Sequence, residues 1–480
     1  MKLLEICPRL VFLAMVWLVA IFASFTTQAS TLSQADSNSD YFERQFNLSL
    51  ANFYWGELHG HSSYSGDTAG FEIVYLQKTH SPEYALQYAR DVEKFDFIAL
   101  NDHAELSSQR DMPRDEIDAG LSVWQSMHRL NAKFNNEHPG EGKVFVVFSG
   151  YEYTNTHGIA LMSSGGTLTG YGHKNVIFKN IDPEHLPLDR FSARIGTGIY
   201  AGTAYDLWTK MADFRPLCQD CEGTALTIVH TPASVGVIGT LDTLGGPDDH
   251  RTDWNAMDKD FVRNVEIYSK WGSSEGVRLQ EQSCDTGALY YYNRGVGDPL
   301  SVRNILYERW VLAGDQRFIL SFLGGTDDHC GKPGSYTHPC MMMRYPGAIT
   351  GIVAPTLTRN ALWTGLWQRH TMTSETSPTG RRTPVLFAVE SMDRHLFMGE
   401  HGEHDGAVIV RASTLRDVIQ MELIVDGCLH SIYEKNSLAV KIPLAAGRHY
   451  IYARAIWRDT QGRQFVAWTS PVYLGAPETY

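Results

Sequence analysis

The segment from Tyr54 to Asp67 (YWGELHGHSSYSGD) constrains this chain more than any other. Trp55 and Leu58 are apolar, and the run then turns to two histidines one residue apart, His59 and His61, and a Ser/Gly-rich tail. That pattern reads as a short buried strand ending in a loop. Residues i and i+2 of a strand share a face, so both imidazoles can reach one ion. An isolated His-x-His is more often two unconnected polar residues in a turn. Here, however, polar clusters close several later strand-like runs: Asn101-Asp102-His103, Tyr151-Glu152, Val229-His230 and Thr326-Asp327-Asp328-His329. Acidic and histidine side chains at the ends of successive strands are how a barrel builds a metal site.

The rest of the chain keeps a β-α rhythm up to about residue 376. Ser81-Pro82 starts a helix, with proline at its first position. Phe95 to Leu100 is a strand. A helical pattern covers Leu121 to Phe134, and Val144 to Phe148 is the next strand. His157 and His173 each begin a further strand-like run. A helix near Tyr205 to Met211 leads to the strand ending at His230. Val262 to Tyr268 carries Glu266, and a helix over Val302 to Leu312 precedes Phe318 to Leu323. Beyond Thr376–Thr383 the runs are short and alternating, with a hairpin turn at Asp459-Thr460-Gln461-Gly462, which predicts a small all-β, sandwich-like domain over 377–480. Residues 30–51 are rich in Ser, Asn, Gln and Asp and read as a linker.

The start resembles a secretory leader. Lys2 and Arg9 flank a near-continuous apolar run from Leu10 to Phe25, and Thr27-Gln28-Ala29 offers a small-residue cleavage site. A cleaved signal over 1–29 predicts a periplasmic or secreted protein; an uncleaved anchor is the competing reading. Loss of Cys7 leaves six cysteines, an even number that fits disulfides in an exported chain. Cys218 and Cys221 form one local bridge or join two, and Cys330 with Cys340 is a plausible pair. A net charge of −13 argues against a nucleic-acid partner. No stretch beyond the leader approaches a membrane span.

Histidine mixed with carboxylate suits borderline divalent metals: Zn, Mn or Fe. A carboxylate such as Glu152 can bridge two ions, whereas imidazole cannot. Paired ions bind an ester oxyanion and acidify water, so no serine or cysteine nucleophile is needed. Neither a G-x-S-x-G elbow nor a P-loop is present.

Taken in order, His59-x-His61, Asp102-His103, Gly150-Tyr151-Glu152, Val229-His230, Val265-Glu266-Ile267-Tyr268 and Asp327-Asp328-His329 resemble the successive motifs of the PHP (polymerase and histidinol phosphatase) superfamily. Trp55-Gly56-Glu57-Leu58-His59, the run from His173 to Phe178, and Arg359 to Gly380 resemble its exported branch, known as DUF3604. The resemblance spans roughly residues 52–380. It implies an α/β fold, a distorted seven-stranded β/α (PHP-type) barrel over 52–376 with two or three divalent transition metal ions at the strand ends. His59 and His61 would hold one ion, with Glu152 and Asp327 shared. His103 and His329 would hold a second with Asp67, which stands where relatives often carry histidine. Glu152, His230 and one further histidine would hold the third. That histidine is His173 or His157; the branch motif favours His173, which leaves His157 as a proton donor or outer-sphere residue.

Glu266 could face the site or serve as a structural hydrogen-bonding group. Lys174 and Lys270 are candidates for gripping an anionic substrate, although ordinary surface lysines are the commoner case. Asp102 and Asp328 suit orienting the adjacent histidines. His80, His128, His185 and His395 read as surface residues. The reading is an exported metal-dependent hydrolase that uses metal-bound hydroxide on a small-molecule or glycan-linked ester, first a phosphoester. The phosphoester comes from the resemblance, not from the residues. Sulfate esters are the runner-up; Cys340-Met341-Met342-Met343-Arg344 lacks the Pro or Ala of a formylglycine sulfatase motif. A rival is a non-catalytic metal- or glycan-binding protein, with Trp457 and Trp468 as its platform.

Overall fold

Two parallel β-α-β steps set the frame. The computed structural model describes residues 37–48, 52–68, 72, 78–138, 140, 142–155, 171–213, 223–232, 252–276, 300–336, 346–414 and 416–475. In the first step the strand Phe53–Glu57 lies parallel to Phe97–Ile98, which lies parallel to Val146–Val147. The helices Pro82–Asp91 and Val123–Phe134 make the crossovers. Ser81 caps the first with its hydroxyl on the Tyr84 amide at 3.3 Å, and proline opens the first turn. Ser122 and Gln125 close a capping box on the second. In the second step Ala225–Val229, Val262–Ser269 and Ser321–Gly324 run parallel in turn.

Between these two sets the chain does not keep to β/α order. Ser149–Asn155 pairs antiparallel with Gly172–Phe178, which pairs antiparallel with Ala225–Val229. Phe53–Glu57 is flanked on its other side by antiparallel Ala348–Val353, and that strand by antiparallel Thr371–Glu375. Among the described residues the pairing does not show the expected distorted seven-stranded barrel as one sheet. Its strands are divided between an eleven-stranded and a six-stranded mixed sheet. Alternating and continuous apolar runs report burial; they carry no information on strand direction.

The β-rich C-terminal part is not a separate sheet. Met372↔Thr469 and its neighbours pair Thr371–Glu375 with Gln464–Thr469, so the eleven-stranded sheet runs through residue 376 into the end of the chain. Only Leu386–Ser391, Arg394–Phe397, Ala407–Ser413 and Ser437–Pro443 form a four-stranded sheet of their own. The hairpin expected at Asp459–Gly462 joins His449–Arg458 to Gln464–Thr469.

Part of the expected linker is ordered. Ser37–Phe46 is a helix seated on this C-terminal sheet. Tyr41 and Phe42 are buried, Asn38 donates to Ser437 Oγ and the Leu438 carbonyl, and Tyr41 Oη meets His395 Nδ1 at 2.9 Å. A composition count over 30–51 dilutes these few apolar residues among Ser, Asn and Asp. His128, expected at the surface, is buried on the inner face of Val123–Phe134 with its ring edge-on to Trp124. No helix among the described residues is long and apolar enough to cross a membrane.

Candidate metal centre

The strand Phe53–Glu57 delivers His59 and His61 to a loop that an isolated bridge, Gly60↔Asp328, lays beside the loop following Ser321–Gly324. Glu57, which sequence reading passed over as the end of a core strand, fastens the two together. Its Oε1 accepts the amides of His59 at 3.1 Å and Thr326 at 2.9 Å, and its Oε2 accepts that of Gly334. Burial pushes this carboxyl up to about 8 against those hydrogen bonds. A second bridge, His103↔Glu152, brings in the ends of the next two strands. Asp102 holds the Ser62 amide and hydroxyl at 2.6 and 2.8 Å, so it braces the His59–His61 loop and not, as expected, its neighbouring histidine.

All nine expected ligands converge. His61 Nε2 lies 3.1 Å from both Glu152 Oε2 and Asp327 Oδ1. His59 Nε2 lies 3.5 and 3.3 Å from the same two oxygens, and although buried it makes no hydrogen bond. The other Glu152 oxygen, Oε1, faces His173 Nδ1 and stands 3.2 Å from His230 Nε2. Asp67 Oδ2 lies 3.3 Å from His103 Nε2 and 2.9 Å from His329 Nε2. His61, His103 and His329 also stack, with ring centroids 4.7 and 4.1 Å from His61. The arrangement resolves into four overlapping groups able to hold an ion: His59/His61/Glu152/Asp327, His61/His103/His329, Glu152/His173/His230 and His59/His230/Glu266, with donor atoms in each within 4.8 Å of one another. Two carboxylates turned onto the same imidazole nitrogens, one of them without a hydrogen bond, are what a divalent cation's donor set looks like.

The backbone is strained where it carries these ligands. Asp327 has φ 52° and Thr231, next to His230, φ 42°. Aspartate tolerates the left-handed region, whereas a β-branched threonine there is a true outlier, of the kind that marks functional sites. Gly325 is required by close approach: a Cβ would sit 2.2 Å from Glu266 Oε2 and 2.7 Å from His59 Cβ.

Within the cluster, burial and the neighbouring carboxylates pull the imidazoles in opposite directions. Burial opposes charge at His61, but Asp327 and Glu152 outweigh it and lift the ring to about 10. At His103 burial is outweighed by Glu152 and Asp67, giving about 9. Burial would raise Glu152; His103, His230 and His173 hold it well below the usual carboxylate range instead. His230 goes the other way, pushed down to about 3 by burial and His59. Protons held this way are those a cation displaces on binding.

A scan of protein-family profiles found no match for this chain, and neither did a search of curated proteins. Among solved structures the chain is similar to a two-domain protein from Bacteroides vulgatus containing a predicted PHP-like metal-dependent phosphoesterase. The identity is 12% over 83% of this chain and 90% of that one, with a TM-score of 0.36. It is also similar to fibronectin(III)-like modules of Clostridium thermocellum CbhA, at 13% identity over 18% of this chain and 94% of that one, TM-score 0.13. Neither superposition is close, and the functional reading rests on the residues.

Four side chains outside the ligand set have roles that sequence left open or placed differently. Glu266 contributes Oε2 to His59 Nδ1 at 2.8 Å, the outer carboxylate of a carboxylate–histidine pair. Lys174 is not brought to the cluster: it points to the opposite strand face from His173, and its Nζ donates to the Tyr171 carbonyl. Burial brings that amine down to about 7. Lys270, fully buried, pairs with Asp328 at 3.1 Å and Ser335 at 3.0 Å beneath the His329 loop, so both it and Asp328 position the loop. His157 lies outside the described residues. Three hydroxyls that sequence gave no reason to choose are also engaged: Ser65 on His61 Nδ1, Thr154 on His103 Nδ1, and Thr79 on the His329 carbonyl.

Glu266→Gln keeps the shape and removes the charge that fixes His59. Metal affinity, measured by competition with a chelator, should fall about 10- to 100-fold while the fold is retained.

Proposed function

We propose that the protein is a metal-dependent hydrolase of anionic esters, first of phosphoesters, acting at the site built around Glu152. The observation that carries this reading is the convergence of His59 Nε2, His61 Nε2, Glu152 Oε2 and Asp327 Oδ1 within 3.1–3.5 Å, with Glu152 Oε1 turned to a further pair of histidines. His59, His61, Glu152 and Asp327 would hold one ion; His103 and His329 with Asp67 a second; and Glu152, His173 and His230 a third. Bound ions would supply Lewis acidity toward an ester oxygen and acidify water.

The chain's own groups do the rest. Glu152 and Asp327 set the spacing within the cluster. Glu266 and Ser65 fix the rings of His59 and His61, and Glu57 keeps their loop against that of Asp327. Asp67, about one-fifth exposed, is the most open member, so substrate approaches on the side of Asp67, His103 and His329. His157 is the proposed proton donor to the leaving group. The phosphoester rests on the ordered PHP-like motifs of the sequence. Trp457 and Trp468 are buried in the described fold, which removes the aromatic platform from the glycan-binding rival.

Elemental analysis of protein reconstituted with Zn, Mn or Fe should return two or three ions per chain, and a screen of phosphomonoesters, phosphodiesters and sulfate esters should find turnover among the phosphoesters. One ion or none, or turnover of sulfate esters alone, overturns the reading. Export belongs to the same proposal, supported by the apolar leader and the six cysteines that follow it. Protein isolated from its native compartment should begin near Ser30 and show few free thiols on denaturation without reductant. An intact Met1 end with seven free thiols would refute that part.

A further inference from the structure

We infer that the indole N–H of Trp271 is a substrate-oxygen donor of this site; the inference rests on the anionic-ester reading above. Trp271 follows Lys270 directly beyond the strand Val262–Ser269, and the Lys270 amide donates to the Thr326 carbonyl, one residue before Asp327. Its backbone is fixed by a hydrogen bond from its own amide to Ser269 Oγ at 3.2 Å. The indole stands edge-to-face against His329, with ring centroids 6.0 Å apart at 85°. His329 is the histidine closest to Asp67, the side on which the cluster is most open.

Trp271 is 9% exposed, yet its Nε1 has no hydrogen-bond partner. Leaving a buried donor unsatisfied is unfavourable, and several buried indoles elsewhere in this fold avoid it. Trp124 donates to the Pro187 carbonyl, Trp208 to Ala256, Trp310 to His449, and Trp468 to Glu275. Trp457 shares the lack, but there a guanidinium, that of Arg381, lies over the ring 4.3 Å from its centroid, and no ring contact joins it to a ligand histidine among the described residues. An unpaired N–H beside a ligand histidine, with no lysine or arginine contacting the ligand carboxylates among the described residues, is suited to an oxygen of a phosphate or other tetrahedral oxyanion. As a rigid neutral donor it would add direction without adding charge at a site where bound ions would supply the positive charge.

The test is calorimetric titration of zinc-reconstituted protein with inorganic phosphate, comparing wild type with Trp271→Phe, which keeps a ring against His329 and deletes the N–H. Phosphate affinity should fall about tenfold in the variant with bound zinc unchanged. Equal affinity overturns the inference, as does loss of zinc, which would make Trp271 a support for His329. Independently of the variant, wild type labelled with ¹⁵N-tryptophan should show one indole resonance among its 11 tryptophans shifting as phosphate saturates. No shift, or a shift that persists in Trp271→Phe, also overturns it. If wild-type protein binds no phosphate at all, the anionic-ester reading fails together with the inference; if only the variant comparison fails, that reading stands.

Discussion

Replacing Glu152 by glutamine should abolish most turnover and unload more metal than loss of any single histidine. Among the candidate ligands Glu152 turns its two carboxylate oxygens to different imidazoles, Oε2 toward His59 and His61 and Oε1 toward His173 and His230. Loss of an outer partner of a metal ligand costs about 10- to 100-fold, so loss of a shared direct ligand should exceed about 100-fold. The amide keeps volume and hydrogen-bonding reach but removes the negative charge that faces five imidazoles, those of His59, His61, His103, His173 and His230. His61→Ala should leave part of the site filled, with activity partly restored by excess metal. Turnover and bound metal measured on both variants and the double variant check this. The two losses should be strongly non-additive, since the residues act as a unit. Near-normal turnover and full metal in Glu152→Gln would rule out a bridged centre.

Glu275→Gln should destabilise the fold by about 3–5 kcal/mol, because it removes the carboxylate partner from a buried ion pair with Arg303 and Arg454. Glu275 accepts from Arg303 Nε at 3.0 Å and Nη2 at 2.7 Å, from Trp468 Nε1 at 2.9 Å and from Tyr452, and it pairs with Arg454 at 3.4 Å. Arg303 and Tyr452 are fully buried and the others nearly so. Burial would raise the carboxyl, but Arg303 and Arg454 bring it down to about 2 from an ordinary 4.5. A folded-state value below the unfolded one gives stability that is complete above about 4.5 and lost as pH falls toward 2. Denaturant titrations between pH 7 and pH 3 should therefore show the gap between wild type and variant narrowing on the acid side. A gap that is constant with pH would mean that the carboxylate's charge is not what holds these elements together.

Most of the ligand set was legible because His59, His61, His103, Glu152, His230, Asp327 and His329 sit where an apolar run gives way to a polar cluster, whereas Asp67 and His173 came from the resemblance. The resemblance to PHP motifs then grouped them. Less legible was what holds them in place. Glu57 reads as the end of a core strand, and nothing in its local sequence says that it accepts amides from loops some 270 residues apart. Ser65, Thr79 and Thr154 are ordinary hydroxyls until the fold brings a ring nitrogen or carbonyl beside them. Strand content was visible from periodicity; strand direction was not, and that is why Gly172–Phe178, a plausible barrel strand by composition, turned out antiparallel to both neighbours. Helix Ser37–Phe46 was missed for a related reason: its stability comes from Phe397, Leu438 and His395, all far along the chain.

The sheet that passes through residue 376 governs when, during synthesis, the site can become ordered. Every candidate ligand has been made once His329 is added, but Thr371–Glu375 gains its outer neighbour only when Gln464–Thr469 follows, and the edge beyond that only with Val472–Gly475. Such distant pairings close slowly, because the entropy of the intervening loop is lost before the contacts form. Until then the growing chain carries a finished set of metal-binding side chains on an incomplete sheet, with the Thr371–Glu375 edge open to another strand. A chain ending near residue 376 would hold all nine ligands and still lack the strand that covers that edge.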